Sequence, residues 1–319
     1  MLKVLMNGYT IRIKERNTKN YKILRNFDGN SSNFADILYN FLNTNIGVSS
    51  IKRVKDQKTI YYGDLGHYNQ DKEIIKCKAY VGVYGNRYDV VNYNTKLVDY
   101  NIKTDDSYAF PLNFMVYVPQ LNTNTKIPDT GILVFEKFKN HGGKGLFVEQ
   151  LEQYFTSNVQ FKNYIIEINP FIPREIINIM KKGVISSVTI KGSSVSSDIA
   201  ENISIRKKSK VELKFSKASI TSTFRNRIVE LLEKGKHVNF REVLDGPIID
   251  PREISFDTDY NGQKRKVVLK DEGELMTPGI DVTDYVKPFT SDGYPDDTKL
   301  YERENIYIEQ IKQSYNNGT

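Results

Sequence analysis

The chain has 319 residues, of which 39% are hydrophobic and 12% aromatic, so it can bury enough surface for one or two domains. It lacks the run of about 18 apolar residues that a membrane span needs, and its single cysteine, Cys77, excludes an internal disulfide and a cysteine-based metal cage. Its net charge of +7 is modest, and its first residues are typical of a strand rather than a signal peptide, so we expect a cytoplasmic protein that does not insert into a membrane.

The first hundred residues are predicted to be mostly sheet. Runs rich in Ile, Val, Tyr and Leu predict strands over 2–14, 19–27, 58–65, 73–84 and 87–93. Gly85 and Asn86 are typical of a tight turn and are predicted to join the last two of these strands. The apolar spacing from Phe34 to Leu42 predicts a short amphipathic helix, with Ser31 and Ser32 as candidate caps.

The middle of the chain predicts two strands, over 114–118 and 131–138, followed by a glycine-rich loop and a helix. The loop covers 139–145, and the helix ends near Phe155. Strand, glycine loop and helix in this order can present backbone amides to a phosphate. The spacing of a P-loop is absent, which favours a plain connector over a nucleotide site.

The second half predicts further strands and two helices before a closing helix. One predicted helix runs from Pro173 to Lys182, a second has Phe224 and Ile228 on its apolar face, and the closing helix covers 298–313. The predicted strands cover 164–168, 184–190, 202–206, 210–216, 253–258 and 264–270. Between the last two strands, Asn261 and Gly262 are a strong hairpin signal. The segment from about 271 to 297 is predicted to be an acidic, proline-containing loop.

These elements predict an α+β fold with mixed, mainly antiparallel sheets and a few packed helices, arranged in two domains. Residues 1–160 together with 254–319 are predicted to form a globular α+β domain. Residues 161–253 are predicted to form an inserted, basic α+β domain.

Charge is distributed unevenly along the second half of the chain. Residues 203–241 carry eleven Lys or Arg residues against three Glu, whereas residues 271–304 carry ten acidic residues against three basic ones. A basic segment of this kind is typical of a surface that binds polyanions, although a solvated basic domain beside an acidic loop is the alternative. The side chains predicted to contact nucleic acid are Arg206, Lys207, Lys208, Lys210, Lys214, Lys217, Arg225 and Arg227.

Aromatic residues beside the basic ones decide which nucleic acid is expected. Phe215 and Phe224 fit the apolar faces of their elements and are therefore predicted to be core residues rather than platforms for unstacked bases. Contact with the phosphates of double-stranded DNA is then the simpler hypothesis, with little dependence on sequence.

Residues for chemistry are sparse, and we predict no catalytic residue, metal site or cofactor. His67, His141 and His237 have no metal-type partner three or four residues away, and Cys77 is predicted to fill the core. The closest approach to a nuclease pattern is Glu136 beside Lys137 with Asp129 upstream, and a surface ion pair is the favoured interpretation of these residues. The pairs at 105–106 and 296–297 are predicted to be turn residues.

Three functions therefore stay open at this stage. A DNA-binding protein is expected from the charge distribution, and it is favoured over an enzyme. The alternatives are a metal-dependent nuclease or other effector enzyme, and a protein-interaction module whose acidic segment binds a basic partner.

The order of segments resembles the RexA-like phage-exclusion proteins. The resemblance lies in Phe110 to Tyr117, Gly131 to Phe135, the helix ending near Phe155, Ile254 to Phe256, Val267 to Lys270, Glu274 to Pro278 and the closing helix. It implies a homodimeric DNA-binding protein that acts in phage exclusion, abortive infection or antiviral defence. It also implies a globular domain with a second, mobile domain inserted before the last strands and helix, and it provides no catalytic residues.

Overall fold

The structure is a computed structural model. It describes residues 3–47, 51–53, 57–66, 73–120, 128–138, 141–171, 174–193, 210–216, 222–234, 250–260, 263–271 and 276–316. The helices within these ranges are α1 (Phe34–Asn45), α2 (Lys144–Ser157), α3 (Arg174–Lys182), α4 (Ser222–Lys234) and α5 (Asp297–Asn316). The predicted strand over 202–206 lies outside the described residues.

Strands dominate the described part of the chain. In the first half they are β1 (Val4–Glu15), β2 (Tyr21–Lys22), β3 (Ile51–Arg53), β4 (Lys58–Gly66), β5 (Ile74–Val83), β6 (Tyr88–Val91), β7 (Val98–Ile102), β8 (Tyr108–Tyr117), β9 (Gly131–Phe138), β10 (His141–Gly142) and β11 (Tyr164–Pro170). In the second half they are β12 (Val184–Ser193), β13 (Lys210–Ser216), β14 (Asp250–Tyr260), β15 (Gln263–Asp271) and β16 (Met276–Asp281). With mostly antiparallel pairing, these elements confirm the predicted α+β fold.

The chain divides into two compact units, and both are discontinuous in sequence. Unit 1 contains Met1–Val4, Tyr9–Asn169 and Tyr285–Thr319; unit 2 contains Leu5–Gly8 and Pro170–Asp284. Their limits differ from the predicted ones mainly near residue 253. A boundary there would cut through β14, which pairs with both β12 and β15, so that β14, β15 and β16 belong to unit 2.

Unit 1 is built around a sheet with the strand order β1-β9-β8-β5-β4-β3. Helices α1 and α2 pack on one face through aromatic contacts, in which Phe147 lies 6.4 Å from Phe41 and 5.1 Å from Phe114 between ring centroids. Helix α5 lies on the opposite face, where its Asp297 contacts Lys78 of β5 and Asn113 of β8. The central strands are therefore covered on both faces, which explains why β9 is an almost uninterrupted apolar run.

The helix cap of α1 differs from the predicted one by one or two residues. The side chain of Asn33 accepts a hydrogen bond from the backbone of Ala35, whereas the hydroxyl of Ser32 donates to Asp28. Ser31 adopts a left-handed backbone conformation with φ of 68° and belongs to the preceding turn. Polar residues crowd this junction, so the sequence leaves the choice of cap open.

The strands on either side of Gly85 and Asn86 do not pair with each other. Strand β5 pairs with β8, with Val83 opposite Tyr108, while β6 pairs only with β7 in a separate two-stranded sheet. Residues 84–107 therefore form a ribbon that connects β5 to β8, whose pairing is continuous. We call residues 86–104 the arm.

Unit 2 contains an antiparallel sheet with the strand order β13-β12-β14-β15-β16, extended by residues 5–7 opposite 279–281. Helices α3 and α4 bury Met180 and Ile228 against Val188, Phe256 and Leu269 of the sheet. Strand β16 was missed because its sequence combines proline and glycine. Gly279 suits the position because an added Cβ would lie 2.6 Å from Oδ1 of Asn7.

Within the described residues, no helix is long and apolar enough to cross a membrane.

Candidate functional site

The predicted phosphate-binding residues whose side chains the structure describes do not share one face of unit 2. Along β13 the side chains of Leu213 and Phe215 pack against the core that α3 and α4 cover, and the exposed Lys214 lies between them. Successive side chains of a strand point to opposite faces, so Lys214 projects from the sheet face away from the two helices. Arg225 and Arg227 lie on α4, on the helix side.

Arg225 connects the two helices of unit 2. Its guanidinium donates a hydrogen bond of 2.5 Å to the carbonyl of Gly183, the residue that follows the last turn of α3. The last carbonyls of a helix have no partner within the helix, and a cation is favoured there by the helix dipole. Arg225 therefore helps to hold α4 against the end of α3, which is a structural role that the charge pattern did not indicate.

Two further basic residues lie beside this contact. Lys181 and Lys182 are exposed in the last turn of α3, directly before the Gly183 carbonyl that Arg225 binds. We call Lys181, Lys182, Arg225 and Arg227 the helix-side basic group. The two lysines lie about twenty residues before the basic segment and were not singled out. The signal available in the sequence was their position at the end of a predicted helix.

The other predicted binding residues are placed only in part. Arg206, Lys207, Lys208 and Lys217 lie outside the described residues, and Lys210 is placed as the first residue of β13 without a description of its side chain. The sheet face that bears Lys214 is also mixed in charge, because Lys191 lies 3.6 Å from Glu253 and 4.0 Å from Glu212.

A second group of polar residues lies inside unit 1, between the sheet and α5. Glu136 of β9 and Glu304 of α5 are fully buried. One carboxylate oxygen of Glu136 accepts a hydrogen bond from the backbone of Asn113 at 2.8 Å. The amide of Asn113 donates to Asp297 at 3.0 Å, and Lys78 forms an ion pair with the same aspartate at 2.6 Å. We call Glu136, Glu304, Asp297, Asn113 and Lys78 the buried carboxylate cluster.

Several oxygens of this cluster have no hydrogen-bond partner in the structure. They are Oε1 of Glu136, both carboxylate oxygens of Glu304 and Oδ1 of Asn113. All four are acceptors when the glutamates are ionised, and a protonated carboxyl would supply the missing donor. The arrangement is therefore suited to holding protons on the glutamates.

Electrostatics favour the same protonated state. Burial raises the pKa of Glu136 to about 8, and the nearby charge of Asp297 adds to this effect. Burial also raises the pKa of Glu304 well above its ordinary value, and the Glu136 carboxyl raises it further, while Lys76 acts in the opposite direction. Two carboxyls that disfavour each other's charge titrate as a coupled pair.

The nuclease pattern around Glu136 gains no support from this geometry. Glu136 is closed off from solvent, and Asp129 precedes β9, in which the stretch from Gly131 to Glu136 alone spans roughly 16 Å. Among the described residues, no group of three or more His, Cys, Asp or Glu residues is placed to hold a metal ion. Cys77 is buried, and burial raises the pKa of its thiol, so the structure makes it a core residue.

The glycine-rich loop owes at least one glycine to packing. A Cβ on Gly143 would lie 2.6 Å from the Val81 side chain and 3.0 Å from Phe135. Gly143 is the N-cap of α2, and the ammonium of Lys144 lies 5.1 Å from the centre of the Tyr9 ring. The glycine therefore lets the start of α2 pack closely against the sheet. This packing role accounts for the glycine in a loop that only connects β10 to α2.

Several acidic residues of the segment over 271–304, among those that the structure describes, are engaged with their own chain. Asp281 accepts hydrogen bonds from the backbone and hydroxyl of Thr283, and Asp296 accepts one from the backbone of Lys299. Asp297 and Glu304 belong to the buried carboxylate cluster. These contacts assign much of the acidic charge to capping and internal pairing.

Comparisons with models of protein families, with curated proteins and with solved structures found no match to this chain. The resemblance to RexA-like proteins therefore stays a prediction.

Proposed function

We propose that the protein binds double-stranded DNA through phosphate contacts made by unit 2, within a phage-exclusion or defence system, and that it does so as a homodimer. The observation that carries the DNA-binding proposal is the hydrogen bond from Arg225 to Gly183, because it joins α4, which bears Arg225 and Arg227, to the end of α3, where Lys181 and Lys182 are exposed. Basic side chains that contact phosphates position a protein on the duplex without reading its sequence.

The structure changes which residues the proposal depends on. Lys214 projects from the other sheet face, so it and the helix-side basic group cannot both meet one side of a straight duplex. The group also lies beside the start of α4, whose first turn contains no acidic residue. Helix starts of this kind favour phosphate groups, because their amides and dipole are positive.

The first prediction concerns the salt dependence of DNA binding. Each phosphate neutralised by Lys or Arg contributes a slope of about −0.9 in a plot of log K against log salt. Replacing Lys181, Lys182 and Arg227 by alanine removes three candidate contacts and leaves the structural Arg225 in place. For each protomer that contacts the duplex, we expect the slope for a random sequence to become shallower by roughly 2 to 3, measured by fluorescence anisotropy at several salt concentrations.

The matched control is Lys214→Ala, which removes one exposed cation from the opposite face. It should leave the slope and the affinity unchanged. An effect of Lys214→Ala without an effect of the triple variant would move the binding surface to the sheet face. Binding that ignores salt in every protein would contradict phosphate contact by unit 2 altogether.

A further inference from the structure

The arm exposes an unusual concentration of apolar side chains. Thirteen large hydrophobic residues are exposed in the described part of the chain, and seven of them lie on the arm, with an eighth at its base. They are Tyr88, Val90, Val91, Tyr93, Leu97, Val98, Tyr100 and, at the base, Tyr108. Tyr93 is 84% exposed and Leu97 is 68% exposed. Scattered exposed hydrophobics are ordinary, whereas a contiguous group marks an interaction surface.

Four apolar residues of the arm share one face of the ribbon. Tyr88 lies opposite Ile102 and Val90 opposite Tyr100, so these four side chains share a face. Asp89 and Asn101 lie on the other face, where the amide of Asn101 donates a hydrogen bond of 2.6 Å to Asp89. Val91 and Val98 pair with each other beyond a register shift and are exposed on this second face. The first face is therefore the one that is apolar without charge, and no described element covers it.

The arm is an ordered ribbon with a well-bonded turn and base. At its tip the Asn92 side chain accepts hydrogen bonds from the backbones of Asn94 and Thr95. At its base Asp106 accepts from the backbone of Lys103 and from the hydroxyl of Tyr100. Because a two-stranded ribbon alone is at best marginally stable in water, covering its apolar face would contribute substantially to its stability.

The aromatic surface continues from the arm onto the body of unit 1. Tyr88 contacts Tyr108 edge to face, and Tyr108 contacts Phe110, whose ring stacks on His141 at a centroid distance of 4.0 Å. The arm and its base therefore present one continuous surface rich in tyrosine, a residue type enriched in protein interfaces.

We propose that this surface binds the same surface of a second copy of the chain, so that two arms pack apolar face to apolar face around a two-fold axis. The six exposed side chains on this face, at the tip and at the base are Tyr88, Val90, Tyr93, Leu97, Tyr100 and Tyr108. If each exposes roughly 100 Å², they offer on the order of 600 Å², the lower end of what one partner contributes to a standard interface. The shared face of Tyr88, Val90, Tyr100 and Ile102 carries no charge, so a second copy can approach it without burying like charges.

The composition of the arm favours this occupant over a membrane surface. Residues 86–104 carry three basic and two acidic side chains, whereas attraction to anionic lipid requires a basic cluster. The proposal specifies the homodimer named under the proposed function and rests on that part of it. It is tested without DNA, so its failure would leave the phosphate contacts of unit 2 to be judged by their own experiment.

The test compares the mass of the protein in solution with that of Val90→Glu. We expect the full chain to sediment at twice its 36.8 kDa, and Val90→Glu to weaken self-association by at least about tenfold, because it places two carboxylates in an apolar interface. The matched control is Val159→Glu, at a residue that is 80% exposed outside the arm, and it should dimerise like the parent.

Two further samples distinguish loss of the arm interface from misfolding of a variant. Mixing Val90→Glu with Val90→Lys should restore the dimer, which misfolding of either variant would prevent. Tyr88→Ser/Tyr100→Ser removes apolar area without adding charge and should also give monomers. A monomeric parent, a dimer that withstands both arm variants, or a monomer that binds phosphatidylcholine vesicles through the arm would overturn the proposal.

Discussion

The two buried glutamates show how much the environment of a residue decides its chemistry. The sequence presents Glu136 as a charge beside Lys137 on a strand, which is the pattern of a surface ion pair. The structure buries Glu136 completely because α5 covers that face of β9, and it places Glu304 close enough to disfavour its charge. Nothing local to residue 136 could have predicted this, since the covering helix lies more than 150 residues away in sequence.

The pH dependence of stability follows from these raised pKa values. Between the ordinary pKa of 4.5 and the folded value of about 8, Glu136 is protonated in the folded state and ionised in the unfolded state. The folded state therefore binds more protons, and the free energy of unfolding should fall as pH rises through this window. Below about pH 4 this contribution should be constant.

The second prediction is that Glu136→Gln flattens this dependence. The amide cannot ionise, so the variant should be more stable than the parent at pH 8 by roughly 2 to 4 kcal/mol and nearly equal to it at pH 4.5. Urea unfolding at both pH values measures the difference. The matched control is Glu302→Gln, which changes an exposed carboxyl on α5, the helix that covers Glu136. This control should have the same pH dependence as the parent. Equal pH profiles for Glu136→Gln and the parent would contradict the assignment.

At the scale of elements, the sequence predicted most strands and helices but not all of their partners. The helix that Gly183 ends, the strand over 210–216 and the closing helix lie close to their predicted places. The arm was missed because Gly85 and Asn86 indicate a turn but not which strands pair with each other. Strand β5 pairs with β8, which follows the whole ribbon in sequence. The phosphate-binding hypothesis likewise grouped residues by their order in the chain, whereas the alternation of β13 and the packing of α4 separate them in space.

The third prediction concerns the contact between α3 and α4. Arg225→Ala removes a charged hydrogen bond to a helix-end carbonyl and should lower the free energy of unfolding by about 1.5 to 3 kcal/mol. Arg225→Lys keeps the charge but loses the planar geometry of the guanidinium, and it should recover only part of the loss. Thermal and urea unfolding measure these changes, and Lys214→Ala provides an exposed control. A loss of DNA affinity at Arg225→Ala with unchanged stability would instead make Arg225 a direct phosphate ligand.

At the scale of the whole molecule, DNA binding by unit 2 and dimerisation through the arm are linked, because dimerisation sets how many phosphates one bound protein contacts. A dimer that engages one duplex with both copies of unit 2 makes twice the contacts of a monomer. The charge pattern of the sequence supported DNA binding, but the surface that would join two copies became visible only once the arm was seen to be uncovered.

The fourth prediction tests this link. If both copies contact one duplex, Val90→Glu should bind DNA with roughly half the salt slope of the parent, although its basic residues are unchanged. Val159→Glu should keep the full slope. The comparison requires anisotropy titrations at matched protein concentration across the same salt series. An unchanged slope in a proven monomer would show that each protomer binds DNA independently.

The discontinuity of the two units has a consequence for the order in which the chain can fold as it leaves the ribosome. Residues 5–7 complete the sheet of unit 2 only when residues 279–281 have been made, and α5 covers β8 and β9 only after Asn316. Until then the face of β9 that bears Glu136 remains uncovered, and Asn113 and Lys78 lack Asp297. At about 5 to 20 residues per second, this exposure lasts many seconds for every molecule synthesised. The growing chain therefore presents these strands to water, or to a chaperone, before its own last helix can cover them.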